Sequence, residues 1–287
     1  AAGMIGMAKR NLKLFFRDKS AVFFSLLAVF IIIGLYALVL GDVWTGSMEG
    51  MPEVRVLMDS WILSGLLAVT SVTTTMGAFG TMVDDKAKNI TKDFSSSPIG
   101  RGRLAGGYIL SSFIVGVIMT LVALVLVQGY ILIEGGAFLG VIPLFKVIGL
   151  VLLTTFTNTS LVLFLVSFFR SSNAFATAST ILGTLIGFVT GIYLPVGQLP
   201  DAVGWIVKLF PVSHAAVLFR QVMMAGPMET SFAGAPASAV AEFEELMGVT
   251  LHFGDTLLPA YASVLILFGT AAVFYPLAVW NLTRKRR

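Results

Sequence analysis

The sequence predicts an all-α polytopic membrane protein. Of its 287 residues, 57% are hydrophobic and only 12% are charged, and the mean hydropathy is +0.93. Soluble globular domains carry about twice that share of charged residues. The apolar residues also fall into long runs, and a helix needs about 20 apolar residues to cross the roughly 30 Å hydrocarbon core of a bilayer. We therefore expect residues 1–287 to form one membrane-embedded domain.

Six apolar runs are long enough to cross a membrane. They cover residues 22–40, 61–83, 104–128, 147–169, 174–194 and 258–282. Alternate connecting segments, together with the segments before the first run and after the sixth, hold 15 of the 19 Lys and Arg residues and only four of the 15 Asp and Glu residues. The positive-inside rule places these segments in the cytoplasm. We expect a multi-pass protein of the plasma membrane with both termini cytoplasmic.

Residues 4–20 are predicted to form an amphipathic helix before the first span. One side is apolar, with Ile5, Ala8, Leu12 and Phe15 at helical spacing. Another side is basic, with Lys9, Arg10, Lys13 and Arg17. Such a helix lies along the inner surface of the membrane. It is either a positively charged anchor or a surface that contacts a partner, and the sequence leaves both interpretations open.

Residues 84–103 form a charged island between the second and third spans. The island opens on Asp84 and Asp85, and its apolar positions recur at i, i+3 and i+7: Ala87, Ile90 and Phe94. This pattern predicts one short helix with an apolar edge. A serine run before a proline then ends the helix, and two glycines return the chain to the membrane. A solvated loop is the alternative interpretation. Because a loop requires neither an apolar edge nor residues that end a helix, we expect an element on which a partner protein docks.

Hydroxyl side chains are the main polar groups inside the predicted spans. Span two carries a stripe of four, Ser64, Ser71, Thr74 and Thr81. Span four has Asn158 near its middle, and span five has Thr180 and Thr184. In a membrane, such groups usually form hydrogen bonds between packed helices. Contact with a substrate path is the alternative interpretation.

Span five also carries a ladder of small residues. Gly183, Gly187 and Gly191 recur every four residues, which places them on one face of a helix. Positions without side chains let a second helix approach closely. We predict a helix-packing surface there.

The longest connecting segment, residues 195–257, follows span five. Prolines punctuate it, and its two apolar stretches, 202–210 and 212–224, are each too short to cross a bilayer. We expect them to re-enter the membrane from outside or to lie at its surface. Residues 237–247 have the pattern of an amphipathic external helix. This region is predicted to form the external re-entrant and cap part of the domain.

The sequence carries no recognised catalytic motif. It lacks a Gly-x-x-x-x-Gly-Lys-Ser/Thr phosphate loop, a His-Glu-x-x-His zinc motif and a Gly-x-Ser-x-Gly nucleophile elbow. There is no cysteine, and neither His214 nor His252 has a second ligand at metal spacing. The inner parts of the predicted spans hold no ionisable residue, which argues against ion coupling. We expect no catalytic residue, metal or cofactor in this chain.

Three segments, in their order and spacing, resemble the permeases of type-2 ATP-binding-cassette (ABC) exporters. They are KRNLKLFFRDKSAVFF at 9–24, KDFSSSPIGRGRLAGGYIL at 92–110, and YLPVGQLPDAVGWIVKLFPVSHAAVLFRQ at 193–221. Each motif is degenerate alone, but the resemblance covers most of the chain. It implies a half-transporter, in which two permease subunits, identical or different, sit in membrane lipid with two cytoplasmic ATPase subunits. ATP and Mg²⁺ would bind to those ATPases, and no nucleic acid is implied.

The resemblance also implies roles for the island, the spans and the external segment. Residues 84–103 would be the coupling helix that seats in the ATPase, and the turn at Arg170 would make a lesser contact. The implied coupling residues are Asp84, Asp85, Ala87, Ile90, Phe94, Arg101 and Arg170. Spans one, two and five would flank the central path, for which the candidates are Ser64, Ser71, Thr74, Thr81, Asn158, Thr180 and Thr184. The external re-entrant helices would shut the outer end of that path.

The function implied is outward movement of an amphipathic, drug-like or lipid-like molecule. The piece from 227 to 254 is added relative to the shortest members of the family, and it is either an external cap or a substrate-specific element. A non-transporting membrane sensor or assembly protein that docks a cytoplasmic partner through the same island is the alternative function.

Overall fold

The computed structural model describes residues 2–96 and 98–284. Some features used above lie outside these ranges, namely Ser97 in the serine run and the basic residues Lys285, Arg286 and Arg287. The described residues are mostly helical, with one short hairpin of two strands. Because an α-helix satisfies its own backbone hydrogen bonds, this architecture suits a bilayer, which offers no partners of its own.

Fourteen α-helices are present in the described ranges. They are α1 (Ala2–Arg17), α2 (Lys19–Ser25), α3 (Leu27–Leu35), α4 (Gly41–Gly46), α5 (Val54–Ala87), α6 (Ile90–Ser96), α7 (Arg101–Ile133), α8 (Val141–Val166), α9 (Ser172–Val189), α10 (Asp201–Leu209), α11 (Pro211–Met223), α12 (Ala225–Ser231), α13 (Ala237–Leu246) and α14 (Ala260–Thr283). A π-helical turn (Tyr36–Leu40) joins α3 to α4, and a 3-10 turn (Val196–Gln198) precedes α10. Strands β1 (His252–Phe253) and β2 (Thr256–Leu257) pair antiparallel.

Six helical segments of the described chain are long and apolar enough to cross a membrane. They are Leu27–Gly46, α5, α7, α8, α9 and α14, so the predicted number of spans is confirmed. The pair α10 and α11 also qualifies if counted together, but the chain bends by 84° between the two helices. Pro211 is the first residue of α11 and cannot donate a backbone hydrogen bond, which is why the helix restarts there.

α5 is the central helix of the bundle. It has 34 residues, and 89% of its most apolar stretch is buried. At 1.5 Å per residue it is about 51 Å long. The helices α7, α8, α9 and α11 all pack against it. A helix that is apolar on nearly every side, with only small hydroxyls between, belongs inside a bundle. The other spans are therefore arranged around α5.

The bundle has two chemically different ends. The end that we call the basic end is where α1, the α5–α6–α7 turn, the α8–α9 turn and the last turn of α14 meet. It carries the island of residues 84–103 and most of the described Lys and Arg side chains. The opposite end carries α10 to α13 and the β-hairpin, which follow one another between α9 and α14.

α5 begins before the predicted span, and its early turns hold an ionic cluster. Arg55 Nε donates to Asp59 Oδ1 at 3.3 Å, and Arg55 Nη1 donates to Asp42 Oδ1 at 3.0 Å. Arg55 Nη2 donates to the Tyr130 hydroxyl of α7 at 3.1 Å. These charged residues precede the predicted span at residues 61–83. Pairing with Arg55 allows Asp59 to be buried within the helix.

The first membrane segment is interrupted, unlike the predicted span at residues 22–40. α2 ends at Ser25, and α3 starts only at Leu27. Asp18 begins α2, because its side chain accepts a hydrogen bond from the backbone N–H of Ala21 at 3.1 Å. The membrane-spanning segment is therefore shifted toward the opposite end and runs through the π-helical turn to Gly46.

The glycine ladder of span five does not form one packing surface. An added Cβ at Gly183 would meet nothing within 4 Å, whereas at Gly187 it would collide with the ring of Tyr193. Gly191 lies beyond the helix, with φ at +75°. Its N–H donates to the Phe188 carbonyl at 3.1 Å, and the N–H of Ile192 donates to the Gly187 carbonyl at 3.0 Å. These two bonds are the Schellman ending of a helix.

We predict that Gly191→Ala destabilises the protein by about 1–2 kcal/mol, because an L-residue is strained at this left-handed position. Gly183→Ala is the matched control, since it adds the same methyl group in the open interior of the same helix. It should be neutral or stabilising by up to about 1 kcal/mol. Thermal unfolding of both variants in one detergent measures the difference. Equal melting temperatures would contradict the assignment of Gly191 as the cap.

Candidate functional site

The island at residues 84–103 is divided among the end of α5, the short helix α6 and the start of α7, and is not the single short helix that the sequence predicted. Asp84, Asp85 and Ala87 belong to the last turn of α5. Asn89 then adopts a left-handed conformation with φ at 59°, and a separate α6 begins at Ile90. Asparagine is one of the few residues that adopts this conformation readily, so it ends α5. The predicted i, i+3, i+7 edge is therefore not one continuous helix face.

Asp85 is the anchor of a buried ionic clamp. Arg10 of α1 donates to both carboxylate oxygens, at 2.8 Å to Oδ2 and 3.0 Å to Oδ1. The hydroxyl of Tyr108 in α7 also donates to Oδ2, at 2.6 Å. Asp85 is only 3% exposed. Asp85 is one of the coupling residues that the resemblance implies, but the structure buries it. Its carboxylate has two charge-assisted partners inside the protein, Arg10 and Tyr108.

The clamp fastens α1 to the island and to the start of α7. Hydrogen bonds to Asp85 raise the pKa of the Arg10 guanidinium above its already high range, so Arg10 stays charged. The same guanidinium lies 5.4 Å from the ring centre of Phe94 in α6, within range of a cation–π contact. Asn11 adds a hydrogen bond of 3.2 Å from its Nδ2 to Ser111 Oγ in α7.

The buried face of α1 differs from the predicted one. Met7, Ala8, Asn11 and Phe15 are buried, whereas Ile5 is exposed. The helix packs along α7, and Met7 lies where a Cβ on Gly107 would be. A helix that only lay on lipid would keep its polar Asn11 in water. The structure therefore favours the interpretation of α1 as a packed part of the basic end, in addition to a charged anchor.

The turn between α8 and α9 lies next to the end of α5. Ser172 Oγ donates to Asp84 Oδ1 at 2.6 Å, which joins this turn to the island. Arg170 in the turn and Arg101 at the start of α7 are both exposed. Of the predicted coupling residues, Asp84 and Ala87 are also exposed, while Ile90 and Phe94 are half-buried. The structure thus brings all seven predicted coupling residues to the basic end, with Asp85 inside and the others at or near the surface.

Most of the predicted path residues lie between packed helices. Asn158 Nδ2 of α8 donates to Ser71 Oγ of α5 at 3.0 Å, which confirms the interpretation of Asn158 as an interhelical donor. Ser71 is also 3.2 Å from Thr155 Oγ1. Ser64 and Thr74 are fully buried, and their hydroxyls donate to carbonyls one turn earlier in α5. The four predicted path residues Asn158, Ser71, Ser64 and Thr74 therefore do not line an open path within this chain. Thr81 is half-buried.

A groove opens between α2 together with the start of the first span, α5 and α9. Its volume is about 560 Å³. The apolar lining includes Phe24, Val72, Met76 and Ile186. Hydroxyls of Thr73, Ser179 and Thr180 interrupt this lining. Among the predicted path residues Thr180 lines the groove, whereas Thr184 is exposed on the same helix one turn further along.

At the opposite end, Arg220 is a buried residue that the sequence analysis missed. It is 1% exposed in α11, and its Nη2 donates to the carbonyl of Thr190 at the end of α9, at 2.6 Å. Its Nη1 donates to the Gly248 carbonyl at 3.4 Å, and its guanidinium lies 5.4 Å from the ring centre of Trp61 in α5. A single arginine within the apolar stretch at 212–224 was the signal that could have identified it.

Trp61 makes a second connection to the segment between α9 and α14. Its Nε1 donates to the carbonyl of Met247 at 2.7 Å. The residues that follow α13 are therefore bonded to both α5 and α11. In residues 2–96 and 98–284, no group of three His, Asp or Glu side chains is arranged to hold a metal ion.

Comparison with known families identifies the family of this chain. The family model described as ABC-2 type transporter matches residues 4–224. The chain belongs to this family, and it is a multi-pass membrane permease component of an ABC transporter, which works with a separate ATPase. A search of curated proteins found no significant match. Family membership favours the permease over the sensor or assembly protein considered from the sequence.

We predict that Asp85→Asn loosens α1, because Arg10 loses the charged acceptor that it shares with Tyr108. The free energy for local opening of α1 should fall by about 2 kcal/mol. Hydrogen–deuterium exchange of the α1 amides measures this change. Asp84→Asn is the matched control, since the Asp84 carboxylate accepts a hydrogen bond from Ser172 and has no contact with Arg10 described above. Equal exchange of α1 in the two variants would rule out the clamp.

Proposed function

We propose that this permease exports an amphipathic, drug-like or lipid-like molecule, driven by ATP and Mg²⁺ on two partner ATPase subunits. In this proposal, α6 and the residues beside it are the coupling element on which one ATPase docks. The single observation that carries the proposal is the composite surface at the basic end. There α6, the α8–α9 turn and α1 meet around the end of the central helix.

The shape of this surface suits transmission of movement. α6 is a separate short helix that follows the left-handed residue Asn89, and it is held to α1 by Arg10 and Phe94. α5 runs from this point through the whole bundle to Trp61 near the opposite end. A push on α6 is therefore passed to a continuous helix and not to a flexible loop, which is the usual condition for a rigid-body switch.

The groove between the first span, α5 and α9 is the proposed substrate path. Its wall combines aromatic and aliphatic side chains with a few hydroxyls, as expected for an amphipathic substrate. Two helices beside the groove are poorly covered: only 11% of the apolar stretch of α9 is buried, and only 17% of that of Leu27–Gly46, which begins at the groove. We propose that a second permease subunit, identical or different, covers these faces and completes the path.

The outward direction is supported by the asymmetry between the two ends. At the opposite end, Arg220 and Trp61 bind carbonyls of Thr190, Met247 and Gly248, which closes α5, α9, α11 and the segment after α13 over the bundle. We propose that this closure is the external gate, and that residues 195–257 form its re-entrant and cap part. The basic end, with both termini, would then face the cytoplasm of a cell whose plasma membrane holds the transporter.

The docking role of α6 is tested by Ile90→Asp. An unpaired carboxylate in an apolar interface costs several kcal/mol, so stimulation of the partner ATPase by the permease should fall at least about tenfold. Phe94→Asp should act in the same direction, but it also removes the contact with Arg10. Ser96→Asp adds the same charge on another side of α6 and is the matched control. ATPase assays of the complex in lipid measure the effect, with membrane insertion checked by yield.

Unchanged ATPase stimulation and unchanged complex formation in Ile90→Asp would refute docking through α6. An equal loss in Ser96→Asp would show that added negative charge alone is responsible.

The path is tested by filling the groove with Thr180→Trp. The indole would occupy space between α9 and α5, so substrate stimulation of ATPase activity should be lost while basal activity of the complex remains. Val125→Trp places the same ring on an exposed side of α7, away from the groove and from the faces assigned to the second subunit, and should retain stimulation. Transport into inverted vesicles is the second measurement. Retained transport in Thr180→Trp would exclude the groove as the path.

A further inference from the structure

A second cavity lies at the opposite end, between the end of α11, α12, α13 and the residues that follow α13. Its volume is about 490 Å³. Most of its lining comes after residue 224, where the match to the family model ends, so membership of the family assigns no role to it. Much of the wall is apolar and is formed by Met224, Met228, Phe232 and Val240. Neither the proposed docking surface nor the proposed substrate path includes this cavity.

Two carboxylates interrupt the apolar wall, those of Glu229 in α12 and Glu244 in α13. Within the described ranges, neither carboxylate forms an ion pair or a hydrogen bond. Glu245 differs, since its Oε1 lies 3.8 Å from Nδ1 of His252. Burial raises the pKa of the Glu244 carboxyl above its ordinary value, because the charged form loses water without gaining a cation. The cavity therefore carries two negative charges that have no partner.

The surrounding segment has no positive charge to offer them. Residues 225–257 contain five Asp and Glu residues and no Lys or Arg. Arg220 is the one basic residue among those that line the cavity in the described chain. Its terminal nitrogens already donate to the carbonyls of Thr190 and Gly248. The lining keeps a net negative charge, so it attracts a cation from solution.

The lining also contains polar atoms that have no partner in the part of the chain that the structure describes. They are Nε of Arg220 and Oγ1 of Thr250, and Arg220 is only 1% exposed. An unpaired polar group inside a protein is destabilising, and a ligand atom that bonds to it removes this cost. A cation that also carries an acceptor oxygen would thus bind better than a simple ion.

The apolar wall favours an organic cation over a metal ion. A hard metal ion needs a shell of oxygen ligands, and residues 2–96 and 98–284 hold no group of three acidic or histidine side chains suited to one. Methionine side chains instead adapt to hydrocarbon of varied shape. The ring of Phe232, whose centre lies 5.0 Å from that of Phe243, offers a face for a cationic group. The volume is also within the range of ordinary small-molecule sites.

We propose that this cavity binds a lipophilic amine. Its ammonium group is held by Glu229 and Glu244, its apolar body lies on the methionines and Phe232, and an acceptor oxygen bonds to Arg220. The piece at 227–254, which the sequence left open between a cap and a substrate-specific element, would then contain a ligand site. Binding depends neither on the docking role of α6 nor on the path or direction of transport, so this proposal and the proposed function can fail separately.

The test measures binding of dansylcadaverine to the whole chain in phosphatidylcholine nanodiscs, by fluorescence. This probe is a primary amine with an apolar ring system and sulfonyl oxygens. Its N-acetyl derivative keeps the ring system but lacks the charge, so it should bind about tenfold more weakly. The double variant Glu229→Gln with Glu244→Gln should show the same loss for the amine and no change for the acetylated probe. Probe bound in the proposed substrate path, which has no charged lining residue, would be equal in both proteins.

The matched control is Glu242→Gln with Asp255→Asn, which removes the same charge from exposed positions of this segment outside the cavity and should retain binding. Glu229→Asp with Glu244→Asp keeps both charges and should retain most of the binding, which separates loss of the site from loss of folding. Unchanged amine binding in the double glutamine variant would overturn the proposal, and so would an equal loss in the control. Displacement of the probe by calcium as readily as by phenethylamine would identify an inorganic cation and overturn the assignment to an amine.

Discussion

Burial of α5 on nearly every side is the constraint on which the rest of the structure depends. A bilayer supplies no hydrogen-bond partners, so each hydroxyl of this helix must be satisfied within the bundle. Ser64 and Thr74 use carbonyls of their own helix, and Ser71 uses Asn158 and Thr155 of α8. These small side chains let α8 approach closely, and α7, α9 and α11 complete the enclosure. The spans α7, α8 and α9 are thus positioned by direct contact with this helix, whereas α14 packs on α8 and α11.

The same helix connects two polar assemblies that differ in chemistry. At the basic end, the clamp is ionic and joins α1, α5 and α7 through Asp85. At the opposite end, Arg220 and Trp61 donate to backbone carbonyls, so their partners are segment ends and not acidic side chains. Carbonyl partners can be exchanged for others when a segment shifts, whereas the buried carboxylate has no substitute. The clamp is therefore suited to a firm joint. The carbonyl contacts of Arg220 and Trp61 are more easily exchanged, although Arg55 and the buried Asp59 add an ionic pair at the same end.

The number of spans and the short helices α10 and α11 could be predicted, because hydropathy and proline placement are local properties of the chain. The clamp could not be predicted, since nothing near Arg10 in the sequence identifies Asp85 as its partner. The division of the island at Asn89 was missed because apolar spacing continued across a residue that ends a helix by its backbone. The hydroxyl stripe was visible, but only the structure shows that Ser71 bonds to α8 and that Ser64 and Thr74 are buried. Arg220 was overlooked although its charge stood out in an apolar stretch.

The clamp joins parts of the chain that are synthesised at different times. Arg10 precedes Asp85 by 75 residues, and Tyr108 follows Asp85 by a further 23. When α1 leaves the ribosome, neither its acceptor nor the helix on which it packs has been made. Its basic and apolar faces can hold it at the membrane surface during that interval. α1 is thus synthesised before α5 and α7 but reaches its final position after them, because it can dock only once α5 and α7 have come together.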